Sequence, residues 1–403
     1  MSTWSRSASA TTRAGWPKPV ANKTMERRAH MTKPLRVGII SAQWGAMGHL
    51  PAWRLIPDVE VTAMCTSRQE TAEAAVAQHG IARPFWDFEA MCADPDIDII
   101  DVGSSPILRE SMVAAAIRAG KHVVNNMPFA TSGEAADRLA ALQQNAGVVG
   151  GAASSLAGLP HLALMKEMID AGEIGEVFQI DTAFQLSFFL EIMPGFPYLW
   201  FGKAGLGVSV TRNHGSHILH ALRYLNGPIT SVVARMETQL KTWNVPGEGP
   251  RAAETDDTCH ALLGFANGAM GSMRTSWTAA DSPGFTLDVF GSKGRLKLDA
   301  LLYPSISTAK LYASTGPISM VPTGSEVVVP DRLLSVAGRR VEPSAADMMN
   351  GGQTLSLARV FESVVAEIRG TGQAMPNFGR AAEIQRLIDA LYASHASRGW
   401  IDV

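Results

Sequence analysis

The 403-residue chain is 46% hydrophobic and 18% charged, a globular balance that excludes wholesale disorder, and at ~100–200 residues per domain it holds two domains or three. A net charge of −2 gives no reason to expect a nucleic-acid partner. Cys65, Cys92 and Cys259 form no C-x-x-C or Cys/His cluster, which indicates neither a disulfide framework nor a metal site, and no apolar run reaches the ~18–20 residues of a membrane helix. A soluble, cytoplasmic protein acting on a small molecule is the expectation.

The charge is unevenly spread. Residues 1–33 carry seven Lys/Arg against Glu26, a net +6, so the other 28 basic and 36 acidic residues give the body −8. This tail is rich in Ser, Thr and Ala and has no apolar segment, so it is not a secretory signal. It reads as a disordered extension, with a transit peptide or a true start at Met31 as alternatives.

From Pro34 onward short apolar runs alternate with helical patterns. Strands are expected at Leu35–Ser41, Val59–Cys65, Asp98–Gly103, His122–Asn125 and Val148–Ala152. Helices are expected at Gln69–His79, Leu108–Ala119 and Ser132–Asn145, the last two closed by Gly120 and Gly147. Continuous apolar strands alternating with helices predict an α/β domain over residues 34–153, a doubly wound parallel sheet covered on both faces.

Beyond residue 154 the grammar changes. A helix at Pro160–Ala171 leads to a long β stretch, Val177–Phe188, and a second helix near Asn213–Leu225 ends at Asn226-Gly227-Pro228. Then come β runs at Thr230–Glu237, Asp257–Phe265, Gly268–Ala279, Phe285–Phe290 and Arg295–Leu298, with hairpin signals at Asn267-Gly268 and Gly291–Gly294. An α+β domain with a large, mostly antiparallel open sheet is expected over 154–379. Residues 314–352 read as an extended excursion or lid, and a C-terminal helix within 380–403 would pack back on the body.

Ligands of a parallel sheet bind beyond the carboxyl ends of its strands, first of all at the first strand-to-helix turn. Here a dinucleotide fingerprint would place glycines at 41, 43 and 46, but the chain has Ser41, Gln43 and Ala46, with Gly45 and Gly48 beside them. Taken alone, Ser41, Ala42, Gln43, Trp44 and Gly45 form either a cofactor turn or a structural turn. After the second strand come Thr66, Ser67 and Arg68, hydroxyls and a guanidinium where an NAD site would place a carboxylate. They favour NADP, with NAD as the alternative.

Together these segments resemble the glucose–fructose oxidoreductase/inositol dehydrogenase (Gfo/Idh/MocA) family. The residues that carry the likeness are Val37–Ile40 leading to His49-Leu50-Pro51-Ala52, Asp96-Ile97-Asp98, Ala119–Val123, Ala171–Val177, Gly215-Ser216-His217, Asn226-Gly227-Pro228 and Phe290–Gly294. Cys65–Ala72 looks like the branch of the galactose-pathway repressor and its NADP-type relatives.

The resemblance implies a Rossmann domain, a nicotinamide cofactor and a second domain whose sheet forms a homodimer or homotetramer. It also exposes departures. The family's Glu-Lys-Pro is Asn126-Met127-Pro128 here, its Asp four residues before a His is Asn213, and its Asn/Gln-Arg pair is Ser155-Leu156. The family's Thr-Pro-Asn turn corresponds to Ser104, Ser105 and Pro106, beside the cofactor, and a following His is Arg109.

His217 keeps the family's histidine position and is the expected acid/base. His214 and Asn213 would orient substrate hydroxyls, Arg212 would hold an anionic group, and Tyr198, Trp200 and Lys203 would line the pocket. The expected activity is hydride transfer between NAD(P) and a small polyol, sugar-like or cyclic alcohol or ketone. The alternatives are a lyase or isomerase with a recycled or structural NADP, and a non-enzymatic sensor of galactose-repressor type.

Overall fold

The computed structural model describes residues 33–316, 319–321, 323–342 and 352–403. The basic tail, but for Lys33, and part of the expected excursion fall outside the described residues. Six short strands form the first sheet: β1 (Leu35–Ile40), β2 (Val59–Cys65), β3 (Arg83–Phe85), β4 (Ile99–Val102), β5 (His122–Asn126) and β6 (Gly150–Ala153). All their pairings are parallel, in the order β3-β2-β1-β4-β5-β6. Helices α1 (Leu50–Arg54), α2 (Gln69–His79), α3 (Phe88–Ala93), α4 (Pro106–Arg118) and α5 (Gly133–Ala146) link them.

Val37 and Ile39 point into one apolar cluster and Ile40, Ile100 and Val102 into another, so the apolar runs are buried on both faces, as a doubly wound sheet requires. Ser132 caps α5 by accepting from the Ala135 amide at 3.2 Å, and Gly147 ends it in the left-handed conformation at φ +65°.

The second sheet has nine strands. They are β7 (Val177–Gln185), β8 (Ile229–Glu237), β11 (Thr258–Phe265), β12 (Met270–Ser276), β13 (Gly284–Gly291), β14 (Arg295–Ala300), β15 (Ala309–Ser314), β16 (Ser325–Val327) and β19 (Ile401–Asp402). Two small hairpins, β9 (Thr242–Val245) with β10 (Gly249–Ala252) and β17 (Ser335–Val336) with β18 (Arg339–Arg340), stand apart. The order is β16-β15-β14-β13-β7-β12-β11-β8-β19, and only β7 with β12 is parallel.

One face of this sheet packs under α6 (Pro160–Asp170), α7 (Ser216–Asn226) and α9 (Phe378–Ser397), joining Leu219, Leu222, Leu387 and Leu391 to Val232, Leu263, Leu287 and Leu298. The other face is open and largely polar, with Phe178, Leu262 and Met270 exposed on it.

The chain does not divide simply in sequence. Helix α8 (Thr354–Ile368), which the sequence places in the second domain, packs on the first sheet, where Phe361 stacks on Trp53 at 4.4 Å. Helix α9 begins there too, Phe378 meeting Phe129 edge-on at 4.8 Å, before crossing to the second core. Residues Leu35–Val403 thus form one unit. Among the described residues no helix is long and apolar enough to cross a membrane.

Candidate active site

Strand order reverses between β1 and β4, and the crevice at their carboxyl ends is where such a sheet holds its ligand. The turn after β1 enters a π-helical turn, Gly45–His49, that continues as α1. A Cβ on Gly45 would lie 2.7 Å from Ile39 Cγ2, and one on Gly103 would lie 3.3 Å from Gly45 Cα and 3.2 Å from Ser41 Cβ. The helix start therefore rests directly on the ends of β1 and β4, where the positive end of a helix favours an anion. The fingerprint fails as a string while its physical content, a close approach made possible by glycines, is supplied from Gly45 and Gly103. Gln43 is exposed, its backbone N–H donating to Ser41 Oγ at 3.3 Å.

Beneath the turn lies a buried polar network that the sequence reading overlooked. The Asp101 carboxylate accepts from Trp53 Nε1 at 2.6 Å and lies 2.8 Å from His49 Nδ1, all three side chains being inaccessible to solvent. His49 and Trp53 are four residues apart on one helical face, a spacing that could have flagged them.

At the end of β2, the Thr66 hydroxyl is 2.6 Å from that of Thr71 and donates to the Arg68 carbonyl at 2.9 Å. Ser67 and Arg68 are exposed, and the Arg68 guanidinium makes no hydrogen bond or ion pair among the described residues. After β4, Ser104 donates to Met112 Sδ at 3.1 Å, Ser105 precedes α4, and Pro106 is its first residue. After β5, Asn126 is half-buried, while Met127 is 6% exposed and Pro128 is also buried. Met127 packs with Phe129 and Ile40 in an apolar cluster, so its thioether serves the core. Arg109 is buried behind this segment, bonded to the Asn126 carbonyl, and burial holds it down to about 9.

The histidines arrive from the second domain. A π-helical turn, Thr211–Gly215, opens α7 and is fixed by Asp256, which accepts from the Thr211 hydroxyl at 2.6 Å and from the Tyr392 hydroxyl at 2.5 Å. His217 Nδ1 lies 3.3 Å from Ser154 Oγ, just after β6, so the second domain's histidine meets the carboxyl edge of the first sheet. Burial pushes His217 down to about 4, which keeps it neutral at ordinary pH. The Asn213 side-chain amide makes no hydrogen bond among the described residues and is half-buried.

His214 is buried and stacked on Phe184 at 4.0 Å, with Nε2 3.0 Å from the Tyr303 hydroxyl. Arg212, expected to hold a substrate anion, is engaged elsewhere. It donates to the Thr131 carbonyl at 2.9 Å and lies over the Tyr392 ring, tying the turn to the first domain. Tyr198 sits among Phe196 and Phe201 with its hydroxyl buried and unpartnered, and Lys203 is exposed on the loop that follows.

His161, His214 and His220 are all buried, and burial pushes them down to about 4, 3 and 3. Unfolded, each takes up a proton near pH 6.5, so stability falls as pH drops from there toward the folded values. Moving from pH 7 to pH 5 is expected to cost about 2 kcal/mol per histidine. Denaturant midpoints at the two pH values check this, and equal midpoints would contradict it.

A doubly wound domain whose crevice faces a histidine from an α+β domain defines a two-domain dinucleotide-dependent oxidoreductase. Two family profiles match the chain: "Oxidoreductase family, NAD-binding Rossmann fold" over residues 35–153 and "GFO/IDH/MocA C-terminal domain" over 162–297. The chain belongs to the Gfo/Idh/MocA family of oxidoreductases.

Levoglucosan dehydrogenase of Pseudarthrobacter phenanthrenivorans is 24% identical over 398 residues, covering 92% of this chain and 98% of its own length. D-apiose dehydrogenase of Paraburkholderia graminis is 25% identical over 284 residues, 70% of this chain and 72% of its own. Among solved structures, an NAD binding oxidoreductase from Klebsiella pneumoniae superimposes with TM-score 0.79 at 26% identity, over 92% of this chain and 99% of that one. The complex of levoglucosan dehydrogenase with NADH and L-sorbose superimposes equally well, TM-score 0.79 at 21% identity over the same shares, and shows the common fold.

Proposed function

We propose that the chain exchanges a hydride between NADP and a hydroxyl-bearing carbon of a small polyol, sugar or cyclic alcohol, with His217 taking up the hydroxyl proton. The observation that carries this reading is the seating of His217 at the mouth of the crevice with Nδ1 against Ser154, which leaves Nε2 as the atom for substrate. A neutral imidazole there accepts a proton in the direction of alcohol oxidation. Relatives named for levoglucosan, D-apiose and D-xylose support a sugar-like substrate.

The residues present suit a dinucleotide. The glycine-lined helix start takes a diphosphate, the end of β2 takes the adenosine ribose, and Asn126 borders the reacting end. Bound there, the nicotinamide supplies the hydride acceptor or donor at C4. Asn213 offers an amide to a second hydroxyl. With Met127 and Asn213 at the positions where the resemblance expects lysine and aspartate, His217 is the one group of that set left to move a proton.

The NADP preference rests on Arg68. Replacing Arg68 with alanine is expected to weaken NADPH binding about ten- to a hundredfold, the worth of one charge-assisted hydrogen bond, and to leave NADH unchanged. Tryptophan fluorescence titrations of both dinucleotides check it. Equal affinity of wild type for the two contradicts the preference. Tight binding without turnover of any alcohol would favour the sensor reading, to which the buried Met127 lends support.

A further inference from the structure

Tyr303 lies on the loop between β14 and β15, in a segment to which the sequence drew no attention. That loop is braced by its own hydroxyls. The Ser307 amide donates to Ser305 Oγ at 3.2 Å, the Thr308 hydroxyl donates to the Tyr303 carbonyl at 2.8 Å, and the Ala309 amide donates to the Ser305 carbonyl at 2.9 Å. It also touches both cores, Tyr303 packing against the cluster under the second sheet and Ile306 against one on the first. Ile306 packs against an apolar cluster of the first domain whose edge Ala42 and Trp44 of the cofactor turn also touch, while the Tyr303 hydroxyl meets His214, three residues before His217. The Tyr303 ring lies near-parallel to Phe188 at 5.9 Å, and both residues are half-buried.

The direction of the Tyr303 hydrogen bond follows from its neighbours. Indole Nε1 only donates, and Trp277 Nε1 donates to His214 Nε2 at 3.3 Å, so Nε2 carries a lone pair. The Tyr303 hydroxyl, 3.0 Å from the same nitrogen, must therefore give its proton to His214. What its oxygen has left for a further partner is lone pairs. Burial, which disfavours both the tyrosinate and the imidazolium, keeps this arrangement fixed.

We infer that Tyr303 is a specificity residue whose oxygen accepts a hydrogen bond from a substrate hydroxyl, so that the site selects ligands carrying a donor at that position. This rests on the reading of the chain as an oxidoreductase of hydroxylated small molecules and adds the atom that recognises a non-reacting hydroxyl.

The test compares wild type with Tyr303→Phe, which keeps the ring and removes the oxygen, on the best substrate of a polyol and sugar panel and on its monodeoxy and monofluorodeoxy analogues. NADPH affinity by tryptophan fluorescence is expected to be equal in both proteins. For the parent substrate KM is expected to rise about tenfold in Tyr303→Phe with kcat little changed. One deoxy analogue, and its fluoro counterpart, which accepts but cannot donate, should each lose about tenfold with wild type and nothing further with the variant. An unchanged KM, losses that add for every analogue, or a fluoro analogue that binds wild type as well as the parent would each overturn the inference.

If wild type oxidises no member of the panel, the activity reading fails by itself. Calorimetric titration of the same polyols into NADPH-loaded protein then decides the Tyr303 inference. Weaker binding to Tyr303→Phe upholds it, and equal binding or none to either protein overturns it.

Discussion

Replacing His217 with alanine is expected to lower kcat/KM for alcohol oxidation by about 10²–10⁴-fold while leaving dinucleotide affinity unchanged, because a positioned general base contributes on that order. Among the described residues the imidazole hydrogen-bonds to Ser154 alone, which lies outside the Ser41–Gly45 turn. The pH dependence separates a proton-transfer role from a packing role. Burial pushes the group down to about 4, so it is a competent base at any pH above that, and its limb in the kcat/KM profile falls near pH 4 rather than near 6.5. The residual activity of His217→Ala should lack that limb. Retention of full activity in the variant would contradict the assignment.

Replacing Asp101 with alanine is expected to cost about 2–5 kcal/mol of stability, since it strands the indole N–H of Trp53 and the ring of His49 in a dry interior without an acceptor. This network joins β4 to the helix that follows the cofactor turn, so NADPH affinity should fall as well. Asp101→Asn keeps an acceptor oxygen for Trp53 and should lose less. Urea midpoints and dinucleotide titrations of the two variants measure both effects. Unchanged values for Asp101→Ala would show that the network carries neither stability nor the geometry of the turn.

The parallel sheet was legible because its central strands are buried on both faces toward their carboxyl ends and leave largely apolar runs such as Leu35–Ile40 and Val59–Cys65, interrupted only at Arg36, Glu60 and Thr62. Short edge elements left no such trace. Strand β3 is three residues containing Pro84, and the β9–β10 hairpin mixes exposed and buried residues without a long period. The placement of α8 on the first sheet was invisible for another reason. Its apolar face is plain in the sequence, but which core it joins is settled by Phe361 stacking on Trp53 across about three hundred residues.

At the site, the turn at Gly45 and the position of His217 could be read from residues and resemblance. Gly103 matters only through its approach to Gly45, and Tyr303 only through contact with His214, 89 residues away. Arg212 shows the opposite case. A charge beside a histidine turn suggested a substrate contact, and the structure ties it to Thr131 and Tyr392.

Isotope transfer from substrate to cofactor tests hydride exchange at this crevice most directly. Wild-type protein is incubated with NADP and a panel of polyols and sugars deuterated at their carbinol carbons, and the recovered nicotinamide is weighed by mass spectrometry. The expected result is reduced cofactor carrying one deuterium from at least one member, abolished or much slowed in His217→Ala. Dinucleotide that binds tightly yet returns unreduced and unlabelled from every member would contradict it.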